Sequence, residues 1–311
     1  MTTTASTREV YGQTLLELGK DNHDIVVVGG DLNKSTFIHL FAQEFPERFF
    51  DMGPAEQNMM SVSAGLANAG KTVFASTFAV FGSGRPYDQI RLGISQPNLN
   101  VKIVVTHAGI MTGDDGMSAQ SIEDLSLMCA LPNFTVIVPA DGPETVKAVL
   151  AAANTKGPFY IRLSRAATPI IHEENYSFQV GKAEIMRGGT HATIMACGIM
   201  VDAALVAASK LSTQGVNCSV INMATLQPVD KEAIITAAKH TGAIITAEEH
   251  LHHGGLSSIV SQVVGENYPV PIEAVSLTGY AESGDPKLLL EKYGLTPDSI
   301  AKAVKEAIKR K

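Results

Sequence analysis

The sequence predicts an α/β chain of two consecutive doubly wound, mainly parallel-sheet domains. Three observations carry that expectation. Short β-branched runs alternate with helical stretches along nearly the whole chain, the order that builds a parallel sheet covered on both faces. The alternation is interrupted over residues 166–189, where Pro, Glu, Gly and Asn dominate. A length of 311 residues is also enough for two cores of ordinary size. These features place a first domain over residues 1–168, a linker over 169–189 and a second domain over 190–311.

In the first domain, strands are expected at 25–29, 72–75, 101–106, 135–138 and 159–163. Helices are expected at 10–19, 56–69, 78–95, 121–130 and 144–153. A short extended run at 49–52 precedes the second helix, and a β-like piece lies at 178–185. The second domain should hold strands at 192–197, 218–221, 243–247 and 272–276. Its helices should cover 200–211, 231–240, 256–264 and 297–309. The last of these ends in basic residues, which suit the negative end of a helix dipole.

Composition narrows the function classes. Hydrophobic residues make up 45% and charged residues 18%, which excludes a disordered chain. A net charge of -7 without a basic stripe argues against nucleic acid or an anionic membrane as partner. The three cysteines, Cys129, Cys197 and Cys218, are far apart in apolar segments. They read as buried thiols of a reducing, cytoplasmic environment. The first seven residues lack the charged and apolar regions of a secretory signal, and no run reaches membrane-spanning length.

In parallel sheets ligands gather beyond the carboxyl ends of the strands. Gly29-Gly30-Asp31, Ser76-Thr77 and Thr106-His107-Ala108-Gly109 all fall at that edge. Glu56 opens a helix whose following face is small and apolar, from Met59 to Ala67. A helix-opening Glu can simply favour the positive end of the dipole. A carboxyl desolvated by that face would instead hold its proton and donate it to a ring nitrogen. Phe78 and Phe81, three apart, are the spacing of ordinary helix core residues. Their place at the ligand edge makes them equally an apolar shelf for a flat heteroaromatic ring. Acid plus shelf is what protonating the aminopyrimidine of thiamine diphosphate requires.

His107, Asp115 and Arg165 each close a strand or its loop, so all three can face one pocket. An imidazole and a guanidinium there suit a phosphate or sulfonate, and Asp115 would accept from substrate hydroxyls. The run from Glu248 to His253 tempts a metal reading. Its three histidines lie in a Gly-bounded loop without helical spacing, which argues against zinc, and no metal site is expected in this chain. Gly254-Gly255 should open a helix whose backbone donors face an anion or a partner chain.

Taken in order, Gly29-Gly30-Asp31, Ala55-Glu56-Gln57-Asn58, Ser76-Thr77-Phe78, Arg85-Pro86-Tyr87-Asp88-Gln89, Thr106-His107-Ala108-Gly109, Asp115-Gly116 and Leu163-Ser164-Arg165 resemble the transketolase family. The likeness is to the C-terminal subunit of split transketolases and extends to Glu248-Glu249-His250 and Gly254-Gly255-Leu256. It implies a pyrimidine-binding domain followed by a transketolase C-terminal-type domain. The implied cofactor residues are Glu56 as activating acid, with Phe78 and Phe81 around the aminopyrimidine. The implied substrate residues are Ser35, Arg85, His107, Asp115 and Arg165, with His107 also catalytic.

Two departures qualify the likeness. The family's Gly-Asp-Gly motif for diphosphate and metal is missing. Thiamine diphosphate would therefore be shared with an N-terminal subunit that holds most of the Mg2+ or Ca2+, in an α2β2 assembly. Ala119 also stands where the family usually has a histidine that contacts substrate, so a non-standard ketose, branched or sulfonated, becomes credible. The expected activity is transfer of a two-carbon ketol unit from a ketose to an aldehyde. The alternatives are the β subunit of a 2-oxo acid dehydrogenase and a non-catalytic regulatory or scaffolding subunit.

Overall fold

The computed structural model describes residues 3–311. Its strands are β1 (Thr4–Ala5), β2 (Ile25–Gly29), β3 (Phe49–Asp51), β4 (Thr72–Ser76), β5 (Val101–Val105), β6 (Thr135–Ile137), β7 (Phe159–Arg162), β8 (Thr168–Pro169), β9 (Glu184–Arg187), β10 (Ala192–Ala196), β11 (Cys218–Asn222), β12 (Thr225–Gln227), β13 (Ile244–Leu251) and β14 (Ile272–Leu277). The larger sheet runs in the order β12-β6-β7-β5-β4-β2-β3, and the smaller in the order β14-β13-β10-β11-β9. Every neighbouring pair is parallel except β12 on β6 and β9 on β11. The expected mainly parallel architecture is therefore present in both sheets.

The central strands β2, β5, β7, β10 and β11 are buried along their whole length, as strands covered by helices on both faces must be. The helix Thr7–Asp21 closes one face of the larger sheet, and Tyr11 donates to or accepts from Ser76 at 2.7 Å beneath it. The helix Pro297–Lys309, read correctly to both ends, packs its Ile300, Val304 and Ala307 into the second core. Thr296 caps it by accepting from Ser299 N, which sharpens its start.

Several elements depart from the expected ones. The single helix over 78–95 is broken into Ala79–Gly84, Tyr87–Gln89 and a π-helical turn Ile90–Ser95. Gly82 and Gly84 weaken the first piece, and Pro86 lacks the N–H to continue it. The helix expected from 121 begins only at Asp124. Ser121 stays extended because its carbonyl accepts from Gly109 N at 2.7 Å and from Arg162 Nη2 at 3.0 Å. The β-like piece of the connecting stretch settles at Glu184–Arg187, where it becomes the antiparallel edge of the smaller sheet.

The two sheets are interlocked. β12 follows directly on β11 of the smaller sheet yet pairs with β6 of the larger one. Gln227 extends that seam by donating to the carbonyls of Leu131 at 2.9 Å and Phe134 at 3.0 Å. One apolar cluster accordingly runs from Val136 and Val138 to Met195, Ile221 and Leu226. At its margin the Arg162 guanidinium is buried against Asp124 Oδ2 at 2.9 Å. Removing it would leave the fully buried Asp124 carboxylate uncompensated. Arg162→Met should therefore lower the unfolding free energy by about 3–5 kcal/mol, read from urea denaturation.

The connecting stretch is pinned at His172. Its Nδ1 lies 3.0 Å from Asp141 Oδ1 and its Nε2 3.0 Å from Glu184 Oε2, so one ring bridges the two domains. Burial works against the charged ring, but Asp141, Glu144 and Glu184 outweigh it and raise its pKa above 6.5. The sign follows from linkage: stabilisation is complete below pH 6.5 and is lost as pH rises through the higher folded-state value. The melting temperature should fall between pH 6.5 and 9, and His172→Gln should flatten that fall in thermal melts.

Candidate active site

Parallel pairing sets the register of the ligand edge. Gly29 lies opposite Ser76 across β2 and β4, and β4 and β5 continue past their ends through a bridge from Phe78 to Thr106. That bridge brings Phe78 and His107 out side by side. Their rings stack with centroids 3.6 Å apart and planes 17° from parallel. The Phe81 ring also stacks with Phe78, its centroid 5.8 Å away and its plane 15° from parallel. The three rings form one continuous shelf, with Phe78 buried at the extended residue that precedes the helix Ala79–Gly84.

Glu56 opens the helix Glu56–Asn68, and only 4% of it is exposed. The burial expected for it is present. The surroundings are not purely apolar, however, because Arg85 Nη1 donates to Glu56 Oε1 at 2.9 Å. The same guanidinium sits 4.1 Å from the Phe81 ring centroid, a cation–π contact. Arg85 thus ties the acid to the shelf, and lies with that group instead of with His107, Asp115 and Arg165.

A second group gathers around His107. Arg165 Nε lies 3.5 Å from Asp115 Oδ2, which closes the loop after β5 onto the end of β7. Arg8 donates to the Ser35 carbonyl at 2.9 Å and is near enough for its charge to act on both Arg165 and His107. Burial first, and the Arg8 and Arg165 charges after it, press the His107 pKa down to about 3. Its Nδ1 is 2.8 Å from Thr106 Oγ1, which leaves Nε2 as the ring's other polar atom. His107 holds φ +58, a left-handed conformation unusual for a residue with a side chain. Asp115 pairs with Arg165 and the exposed Glu9 also acts on Arg8, so the two guanidiniums offer donors for an anion with a neutral imidazole beside them.

Sequence reasoning missed Arg8. A single arginine in the first turn of a helix has no local signature, and the helix was expected to start at Val10. Only packing brings it in, with Thr7 Oγ1 donating to the Ser164 carbonyl at 3.4 Å. Ala119 is buried in the turn after Gly116 and adds no side-chain polar group there.

The stretch from Glu248 to Leu251 is strand and not loop, so the expected Gly-bounded loop begins only after it. Its charged residues hide the strand from any apolar pattern, because Glu249 and His250 are buried among partners from the first domain and Glu248 caps the helix that follows. His250 Nε2 accepts from Leu125 N at 3.2 Å while its Nδ1 donates to the Leu251 carbonyl at 2.8 Å. The helix N-terminus after Gly255, expected to offer its donors to an anion or a partner chain, has two of them engaged within this chain. Glu248 takes its donors, from Leu256 N at 2.7 Å and Ser257 N at 2.8 Å. No cluster of three or more potential metal ligands occurs among the described residues, and no helix is long and apolar enough to cross a membrane.

A model of the transketolase pyrimidine-binding domain matches residues 3–170, and one of the transketolase C-terminal domain matches residues 181–300. The chain belongs to the transketolase family. It is 43% identical to a Methanocaldococcus jannaschii protein described as a transketolase C-terminal section, over 97% of this chain and 96% of that one. A 6-deoxy-6-sulfo-D-fructose transketolase subunit of a Clostridium species is 40% identical over 98% of this chain and 95% of its own. The solved structure of a split-gene transketolase, an inactive β4 tetramer, superposes with a TM-score of 0.91 at 47% identity, covering 99% of this chain and 100% of that one. Against single-chain transketolases the chain spans about half the length, as with 49% of the human enzyme. These relatives favour the transketolase reading over both alternatives, the 2-oxo acid dehydrogenase β subunit and the non-catalytic subunit.

Within this transketolase section, His107 should stay neutral throughout the physiological range. Nitrogen-15 spectra of histidine-labelled protein should show its ring unprotonated from pH 5 to 9. A titration midpoint near 6.5 would contradict the positive surroundings described for it.

Proposed function

We propose that this chain supplies the pyrimidine side of a thiamine diphosphate site and most of a sugar site. On that reading it transfers a two-carbon ketol unit from a ketose to an aldehyde, together with an N-terminal subunit. The single observation that carries the proposal is the meeting, at one sheet edge, of a buried acid on an aromatic shelf with a two-arginine pocket. The residues present fit the cofactor's ring end: a buried carboxyl group to hydrogen-bond the ring edge, and aromatic side chains beside it to seat the ring. The diphosphate and its Mg2+ or Ca2+ fall to the partner in a cytoplasmic α2β2 assembly.

Thiamine diphosphate, when bound, supplies the nucleophilic carbon and the electron sink for breaking the carbon–carbon bond. This chain does the rest of the work from its own side. Glu56 would present its carboxyl group to the aminopyrimidine edge, where a proton can be exchanged, and Arg85 orients that carboxyl. Arg8 and Arg165 receive the anionic end of the ketose, and Asp115 accepts from a hydroxyl. Neutral His107 exchanges a hydrogen bond with a sugar oxygen through Nε2 without adding charge.

Both a phosphate and a sulfonate satisfy the two guanidiniums, and Ala119 removes an imidazole that would favour an ordinary donor. The clostridial sulfofructose relative supports placing a sulfonated ketose among the donors.

The test is a donor screen on the complex purified from its host, with a ketose phosphate, a 6-sulfonated ketose and an uncharged ketose. Transfer from at least one anionic donor is expected, and no cleavage of any ketose would defeat the reading. Glu56→Gln should lower turnover by about 10²- to 10⁴-fold without altering assembly. Arg165→Gln should raise KM for anionic donors by about 10- to 100-fold while leaving an uncharged ketose unaffected.

A further inference from the structure

At the end of β13 the Glu249 carboxylate crosses from the second domain into the first. Its Oε1 accepts from Met111 N at 2.6 Å, and the Ile110 amide also faces it. The carboxyl group stands directly on Gly109, where any Cβ would coincide with its atoms. Gly109 is held at φ +74, so both the space and the backbone there demand glycine. The acceptor is itself anchored, since the Glu249 carbonyl takes a bond from Arg162 Nη2 at 3.0 Å.

This contact sits midway between two residues of the candidate sugar site. On one side the His107 carbonyl accepts from Thr112 Oγ1 at 2.7 Å. On the other the turn Ile110–Asp115 ends at Asp115, paired with Arg165. Behind the turn is a cavity of about 10 Å³, the size of one water, lined by Ala108, Arg162, Ser164, Cys197 and Glu249 among others. Ser164 Oγ is buried there with no protein partner. A six-residue turn with two positive-φ glycines at its ends, Gly109 and Gly116, has little rigidity of its own. A carboxylate accepting from two successive amides holds its start, while Ser283 Oγ donates to the Asp114 carbonyl at 2.6 Å near its end.

We propose that Glu249 is a positioning residue for the sugar site, through which the second domain sets the spacing of His107 and Asp115 without touching substrate. In its catalytic consequence this rests on the ketol-transfer reading above. The two are separated by reading backbone protection on the chain itself and kinetics on the complex.

Hydrogen–deuterium exchange of residues 108–116 should quicken at least about tenfold in Glu249→Ala, with the remaining amides unchanged. Glu249→Gln, which keeps an acceptor oxygen, should restore most of the protection. In the complex, Glu249→Ala should raise the donor KM about tenfold with thiamine diphosphate affinity unchanged and kcat within about threefold, and Glu249→Gln should rescue KM. Unchanged exchange at 108–116 in folded Glu249→Ala would overturn the proposal, as would a fall in kcat with KM unaltered. Should the alanine variant not fold, Glu249→Asp, one methylene shorter, takes its place with the same two readings. A wild-type complex that cleaves no ketose would count against the ketol-transfer reading, and exchange would still decide the role of Glu249.

Discussion

The Arg162 guanidinium holds the molecule's two halves in one arrangement. It is fully enclosed, donating through Nε to Asp124 and through Nη2 to the carbonyls of Ser121 and Glu249. Those acceptors belong to the extended stretch after the turn Ile110–Asp115, to the helix that follows and to the second domain. Burial by itself would push Asp124 up, yet the guanidinium, His250 and the Tyr160 hydroxyl hold it below the usual carboxylate range. A charge so deeply enclosed contributes little net stability as a pair but is very costly to leave half made. Its consequence is geometric: the three segments can approach in only one way.

From that constraint follows the division of labour at the ligand edge. One end of the site is built by β2, β4 and the helices after them, where burial, aromatic stacking and a single acid prevail. The other is built where β5 and β7 end, and there positive charge prevails. His107 joins the two, since its ring extends the aromatic shelf while its neighbours are guanidiniums. A histidine kept neutral by burial first, and by such neighbours after it, can donate or accept near an anion without titrating as pH changes.

Much of this was legible in the sequence, for a physical reason. Buried parallel strands are continuous apolar runs, so β2, β5, β7, β10 and β11 announced themselves within a residue or two. The helix Pro297–Lys309 carried its own cap and stripe. What stayed hidden depends on partners distant in sequence. The end of β13 is made of Glu and His, which read as loop until Leu125, Met111 and Arg162 are seen to satisfy them. β12 is three residues long and exists only because an edge of the other sheet is open to it. Glu56, Phe78, Phe81, His107, Asp115 and Arg165 stand out as candidates because strand ends are where ligands gather. Arg8 does not, because a helix start reveals nothing of the sheet edge it overlies, and Arg85, expected at the sugar, pairs with Glu56 in this structure.

The central claim is that the site is half a site: ring shelf, acid and anion pocket here, diphosphate and metal on another chain. It is tested most directly by assaying ketol transfer with this chain alone, with a purified diphosphate-binding subunit alone, and with the two mixed at equal concentration in thiamine diphosphate and Mg2+. The account predicts turnover only in the mixture, rising with either chain until the two are equimolar. Turnover by this chain alone, or a mixture that assembles with bound cofactor yet transfers nothing from any anionic ketose, would contradict it.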